Sequence, residues 1–239
     1  MSYAVVSCHV ERLLDDVVWN AFEKLLRRRP TGFVVTPFVR PPADGEDESA
    51  WLERVRHIAA LAPLGHHTHW GGVEQARPKG VDAPALVREQ AEWLRANGLS
   101  PRYFCGGGWY VDAPLAETLA ELGYVDCSAT TFELSYLDDD APRLQLDGPR
   151  RMRLGNGATL LELPATHSLG MLGRGLPRLG GPVHMHFHDW ELVERPRAAA
   201  LAVLLRALRA VRTPIDIDEL ARLAAAAPEA TFSGVTIAP

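Results

Sequence analysis

Apolar and polar positions along the chain switch repeatedly between a strand-like and a helix-like pattern. Val5 to Glu11 reads as a strand, and Asp15 to Arg29 then places Val18, Phe22, Leu25 and Leu26 on one helical face. The exchange repeats with a strand at Gly32 to Val39, a helix at Ser49 to Leu61, and a short strand running into "LGHHTHW". A helix at Ala83 to Asn97 stops at Gly98, followed by a strand at Tyr103 to Cys105. A helix at Ala113 to Leu122 stops at Gly123, followed by a strand at Tyr124 to Ala129. Residues 133 to 157 read as an irregular excursion rich in Asp and Gly. Strands at Thr159 to Leu163 and Val183 to Phe187 complete the set, with helices near 190 to 211 and 216 to 226. Seven strand candidates, most of them followed by a helix, predict an α/β fold with a mainly parallel sheet, either closed into a barrel or open and doubly wound. In both architectures chemistry belongs at the carboxyl ends of the strands.

Length and composition narrow the picture. The 239 residues suit a single domain spanning 1–239, with 47% hydrophobic and 23% charged residues. A net charge of -5 argues against a nucleic-acid partner, whose binding face would be basic. No stretch approaches the ~18 uninterrupted apolar residues of a membrane span. The start lacks the basic and apolar regions of a signal peptide. Cys8, Cys105 and Cys127 are widely spaced without a CxxC, which reads as reduced thiols in a cytoplasmic protein.

The histidines change the picture most. Eight of the nine cluster near strand ends: His9 beside Glu11, the run His66, His67 and His69, His167, and the series His184, His186 and His188 in "VHMHFHDWEL". Residues two apart on a strand share a face, so His9 with Glu11 and His67 with His69 each point one way, while His66 points away from His67. Glu11, His67 and His69 together supply the imidazole and carboxylate donors that a catalytic Zn²⁺ site uses, with a fourth position open for water. One divalent metal ion, with Zn²⁺ foremost, is therefore the expected cofactor. His57 is left on a helix face, Cys105 and Cys127 are read as buried small hydrophobes, and Gly106-Gly107-Gly108 as a place where backbone approaches a ligand closely.

Four segments, in this order, carry a resemblance: "SCHVE", "LGHHTHW", "YFCGGGWYVDAPLAETLAELGYVDCSAT" and "VHMHFHDWEL". From residue 5 to about 192 the chain resembles the polysaccharide deacetylase superfamily, metal-dependent carbohydrate esterases of the NodB homology type. The resemblance implies a distorted (β/α) barrel that hydrolyses an N- or O-acyl group, usually N-acetyl, on a sugar. It implies Glu11, His67 and His69 as metal ligands and His188, next to Asp189, as general acid. The general base stays open among His9, Asp15 and Asp16, with His9 the only unassigned titratable group on the Glu11 face of its strand. Trp70, Gly107, Gly108, Trp109 and His186 stand as the expected substrate contacts, and a small molecule or glycan precursor as the substrate. The sequence departs from the family pattern in three places: His9-Val10-Glu11 replaces an adjacent acid pair, the histidine pair is HxH, and Cys105 stands where an arginine is usual. Two other readings remain: a metal-dependent phosphoesterase or amidohydrolase barrel, and an inactive barrel that binds a glycan or a partner. The oligomeric state is not legible.

Overall fold

Apolar residues four apart build the helices, and aspartates start them. In the computed structural model, which describes residues 3–29, 31–71, 75–138, 141–170, 182–232 and 235–237, helix α1 (Asp16–Arg28) buries Val18, Phe22 and Leu26. Its first turn is capped by Asp15, whose Oδ1 accepts from the Val17 and Val18 amides at 2.8 and 3.2 Å. Helix α2 (Glu48–Ala59) is capped by Asp47, α3 (Ala83–Ala96) by Asp82 and α4 (Ala113–Leu122) by Asp112. Gly123 ends α4 in the left-handed conformation, at φ +78°, that L side chains rarely adopt. Helices α5 (Arg195–Val211) and α6 (Ile217–Ala224) close the set among the described residues. None is long and apolar enough to cross a membrane.

The chain divides into two compact units, Met1–Leu64 with Thr166–Leu220, and Gly65–Ala165 with Ala221–Pro239. In the first, β1 (Tyr3–Val10) lies between β2 (Val35–Val39) and β10 (Val183–His188), parallel to both. The short β9 (His167–Ser168) joins β10, and β11 (Thr213–Pro214) joins the start of β1, again in parallel. In the second unit β3 (Gly65–Thr68), β4 (Tyr103–Gly106), β5 (Val125–Asp126) and β8 (Thr159–Glu162) run parallel in that order. Then β7 (Arg150–Arg153) pairs antiparallel with β8, and β12 (Glu229–Thr231) parallel with β7. A separate ribbon pairs β6 (Arg143–Gln145) with β13 (Val235–Ile237).

The α/β alternation and the parallel pairing are those the sequence predicts; the segment 133–157 is not. Instead of an irregular excursion it holds β6 and β7. Met152 and Leu144 are buried in the second unit's core with Leu160, Phe104 and Leu119, while Arg151 and Arg153 point outward to Glu229. Three arginines around one methionine conceal that alternation in the sequence. The strand read at Tyr124 to Ala129 is regular only at Val125–Asp126, the chain then touching its neighbours by single bridges at Thr130.

One feature of this core is costly. Asp126 and Glu162 are register partners on β5 and β8, and both are wholly buried. Asp126 Oδ1 accepts from the Ser128 amide and hydroxyl at 3.0 and 2.7 Å. Burial nevertheless pushes the Asp126 pKa up to about 6 and the Glu162 pKa well up, the latter reinforced by the neighbouring carboxylate. Both groups prefer to be protonated when folded, so their contribution is full below the ordinary carboxylate range and is lost as pH rises through the folded values. Glu162→Gln is therefore expected to gain stability relative to the native protein as pH rises from 4 to 8, because only the native side chain must then ionise in a buried site. Thermal melts at the two pH values check it; a difference that does not change with pH would refute the raised pKa of the buried Glu162 carboxyl.

Candidate functional site

In the first unit the histidines gather where β1 and β10 end. The register sets His9 against His188 and Ser7 against His186, and partners in parallel strands project to the same face. The ring centroids of His9 and His186 lie 3.9 Å apart, those of His186 and His188 4.8 Å, and those of His9 and His188 5.5 Å. Below them Ser7 Oγ sits 2.9 Å from His184 Nε2.

His188 is held between two carboxylates. Its Nε2 is 3.6 Å from Glu11 Oε1 and its Nδ1 3.6 Å from Glu191 Oε2, and its amide donates to Glu191 Oε2 at 2.8 Å. Glu191 is buried and also accepts from Arg197 at 2.9 Å. The Trp190 indole stacks on the His188 ring at 5.5 Å, carries the Arg197 guanidinium 4.6 Å from its centroid, and donates its N–H to Glu11 Oε2 at 3.2 Å. Burial drives the His188 pKa down, but the Glu191 hydrogen bond and the charges of Glu11 and Glu191 outweigh it, so the net shift is upward. Glu191 moves the opposite way: burial raises it, and His188 with Arg197 brings it below the usual range.

These contacts show what the acids expected near His188 touch. Asp189, expected to support His188, spends its carboxylate on backbone: Oδ2 accepts from the Arg12 amide at 2.9 Å and Oδ1 from the Trp190 amide at 2.8 Å. Burial lifts its pKa to about 6. The acids facing the His188 ring are Glu11 and Glu191, the latter two residues beyond Asp189. Of the three candidate bases, Asp15 caps α1 and Asp16 pairs with Arg54 at the surface; His9 remains, buried beside His186 and edge-on to Phe38. The turn carrying Glu11 is fixed by the buried Arg40, whose guanidinium donates to the Glu11 carbonyl at 3.1 Å and to both oxygens of Glu46 at 2.6 and 2.7 Å. Glu191, Trp190, Arg197 and Arg40 have no motif of their own, and only "DWEL" directly after His188 hints at the first two.

In the second unit strand β3 carries His66 and His67, with His69 one residue past its end, and alternation separates the first two. His66 turns into the core, 3.0 Å from the Tyr124 hydroxyl and 3.0 Å from Gln90 Oε1; burial drops its pKa to about 4. His67 faces the other way, with Nδ1 2.8 Å from the Cys105 carbonyl. A carbonyl only accepts, so Nδ1 carries the hydrogen and Nε2 presents its lone pair. That Nε2 is 3.1 Å from Nε2 of His69. Two imidazoles on one tetrahedral Zn²⁺ place their donor atoms about 3.3 Å apart, from Zn–N distances of about 2.0–2.1 Å. The His67 to Cys105 contact is of the kind that orients a histidine when it ligates a metal. The pair therefore fits a metal ion, and Cys105 contributes its carbonyl; burial pushes its thiol pKa well up.

The expected substrate contacts fare differently. Trp70 is wholly buried in the core, its indole N–H donating to the Gly107 carbonyl at 3.0 Å. His186 is buried under its neighbours. The glycine run is packed against the protein's own backbone. A Cβ on Gly106 would sit 2.3 Å from the Tyr110 carbonyl oxygen, and on Gly107 2.6 Å from Thr68 O and 2.9 Å from Ala76 O. On Gly108, at φ +59°, it would meet Arg77 Cγ at 2.5 Å and Ala76 O at 2.7 Å. The close approach is between segments of the protein itself. Trp109 alone among these is a half-buried ring, edge-on to Phe132, and it holds a left-handed φ of 57° unusual for a bulky residue.

No protein-family profile matches the sequence, and no curated protein does. Solved structures match throughout. A protein assigned as a polysaccharide deacetylase from Mycobacterium smegmatis superposes with a TM-score of 0.66 at 17% identity, over 100% of this chain and 94% of that one. The chain has the polysaccharide-deacetylase fold. A family 4 acetyl xylan esterase from Clostridium thermocellum, solved with a cobalt ion, shares that fold at a TM-score of 0.51 and 12% identity, covering 99% of this chain and 100% of that one. The 4-alpha-glucanotransferase of Thermococcus litoralis matches at 0.62 and 15% identity over 99% of this chain, which spans 40% of the glucanotransferase's length. The deacetylase fold thus occurs with different reactions, and the residues at the strand ends must decide between them.

Packing around the glycine run generates a direct test. Gly107→Ala forces a methyl group against two backbone oxygens and is expected to lower stability by about 1–3 kcal/mol, read by urea or thermal unfolding. An unchanged midpoint would mean that the segment around Ala76 moves aside without cost.

Proposed function

We propose that the protein is a metal-dependent hydrolase that removes an N-acyl group, N-acetyl foremost, from a sugar or glycan precursor. The observation that carries the reading is the His67 and His69 pair, with two Nε2 atoms 3.1 Å apart and the outer nitrogen of His67 tied to a carbonyl. The fold shared with carbohydrate esterases supports the substrate class. Three buried free cysteines support a reducing compartment such as the cytoplasm.

His67 and His69 hold the ion, and Glu11 is assigned as the acidic ligand on the sequence pattern alone. A bound divalent ion supplies Lewis-acid polarisation of the acyl carbonyl and makes water a better nucleophile. His188 delivers a proton to the departing amine nitrogen, and its position between Glu11 and Glu191 favours the imidazolium that must do so. Glu191 and Trp190 fix the ring, one through its amide and Nδ1 side and the other by stacking. His9 takes the proton from the attacking water. Trp109 offers an aromatic surface to the sugar.

Free acetate or formate is expected when the metal-loaded protein meets the right N-acyl sugar, and a chelator should stop it. His67→Ala and His69→Ala should each lose metal by elemental analysis. Inert N-acyl sugars together with cleaved phosphate esters would replace this reading with that of a phosphoesterase. His188→Ala should lower kcat by about 10²- to 10⁴-fold, the usual worth of a positioned acid, while the metal bound through His67 and His69 stays; full activity would remove His188 from proton transfer.

A further inference from the structure

Histidine is confined to one face of the β1 and β10 pair. The opposite face of the same strands carries Val6, Cys8, Met185 and Phe187, all buried apolar residues. Packing alone would be served by such residues on both faces. Instead His9, His186 and His188 each offer a ring nitrogen, and the three atoms lie within 4.8 Å of one another. Donor atoms on one tetrahedral ion sit about 3.3 Å apart, so ring rotations of about an ångström close the site. Strand register holds His9 and His188 side by side, and the core fixes His186 beneath them.

Charge around the three rings also favours a cation. Glu11 and Glu191 each approach His188 to 3.6 Å, and the charges of Asp189, Glu191 and Glu11 all act on the neighbouring Cys8 thiol. Arg197 answers Glu191. A divalent ion among the imidazoles would sit in the field of these carboxylates. A donor set made of imidazole suits Zn²⁺, Co²⁺, Ni²⁺ and Cu²⁺ rather than Mg²⁺ or Ca²⁺.

We propose that His9, His186 and His188 form a second site for a borderline divalent metal ion such as Zn²⁺, built from ligands other than His67 and His69, and that filling it inhibits the protein. The ion takes the lone pairs of His9 and His188, so neither can accept or deliver a proton while it is bound. The inhibitory part rests on the deacylase reading above; the binding part does not.

Equilibrium dialysis of the whole protein against Co²⁺, with bound cobalt counted by elemental analysis and its d–d absorption recorded, tests the site without any substrate. The native protein is expected to take up two ions per chain. His186→Gln, similar in size and checked for native circular dichroism, should weaken one of the two by at least about 100-fold, as should His186→Ala. His67→Ala should keep the ion that His186→Gln loses. Saturation at one ion that His67→Ala abolishes would overturn the inference and leave the deacylase reading intact, as would two ions that both survive His186→Ala. A single ion lost in His186→Gln and kept in His67→Ala would support the triad and instead overturn the ligand role of His67. If acyl release is found, excess Zn²⁺ should suppress it in the native protein, and inhibition at unchanged Zn²⁺ concentrations in His186→Gln would overturn the inhibitory role.

Discussion

Because β1 and β10 run parallel with His9 opposite His188, one register decides which side chains of the first unit meet. A slip of one residue would carry His186 and His188 into the apolar layer and bring Met185 and Phe187 to the polar face. The other groups depend on that choice. Glu191 can reach the His188 ring only if β10 ends where it does, and Trp190 can stack on His188 while reaching Glu11 only in the same register. Polar groups this deeply buried are costly unless satisfied. Arg197 on Glu191, Arg40 on the Glu11 carbonyl and the Arg12 amide on Asp189 are the interactions that offset the cost.

The second unit uses a different device. His66 and His67 alternate along β3, so one imidazole turns into the core and the next faces the other way. The lone pair left on His67 Nε2 is set by its strand neighbour: Cys105 is its register partner, and the carbonyl of that residue fixes the tautomer. The identity of the side chain at 105 matters little to this contact, because the backbone supplies it.

Much of this is legible in the sequence where local rules act alone. Helix α4 falls on the residues its pattern predicts, since Asp112 starts it and Gly123 stops it; α3 differs only at its last residue. The opposite facing of His66 and His67 follows from strand alternation and holds. What escapes is set by long-range packing. Asp189 and Glu191 are equally plausible partners for His188 by spacing, and only the turn after β10 sends one to backbone amides and the other to the ring. The glycines at 106 to 108 read alike whether a ligand or the chain itself comes close. Strand β7 hides because its arginines find Glu229 far away in sequence, and strands of two or three residues such as β9, β11 and β12 are too short to show a period.

The cysteines lend the fold an unplanned use. Cys8 is buried in the first unit, and Cys105 and Cys127 in the second, each with its thiol pKa pushed well up by burial. Alkylating reagents attack thiolates, so none of the three reacts while its surroundings stay closed. Labelling under native conditions then counts openings rather than surface thiols. Mass spectrometry of the labelled peptides separates the two units, because Cys8 reports breathing of one and the pair on β4 and beyond β5 reports breathing of the other.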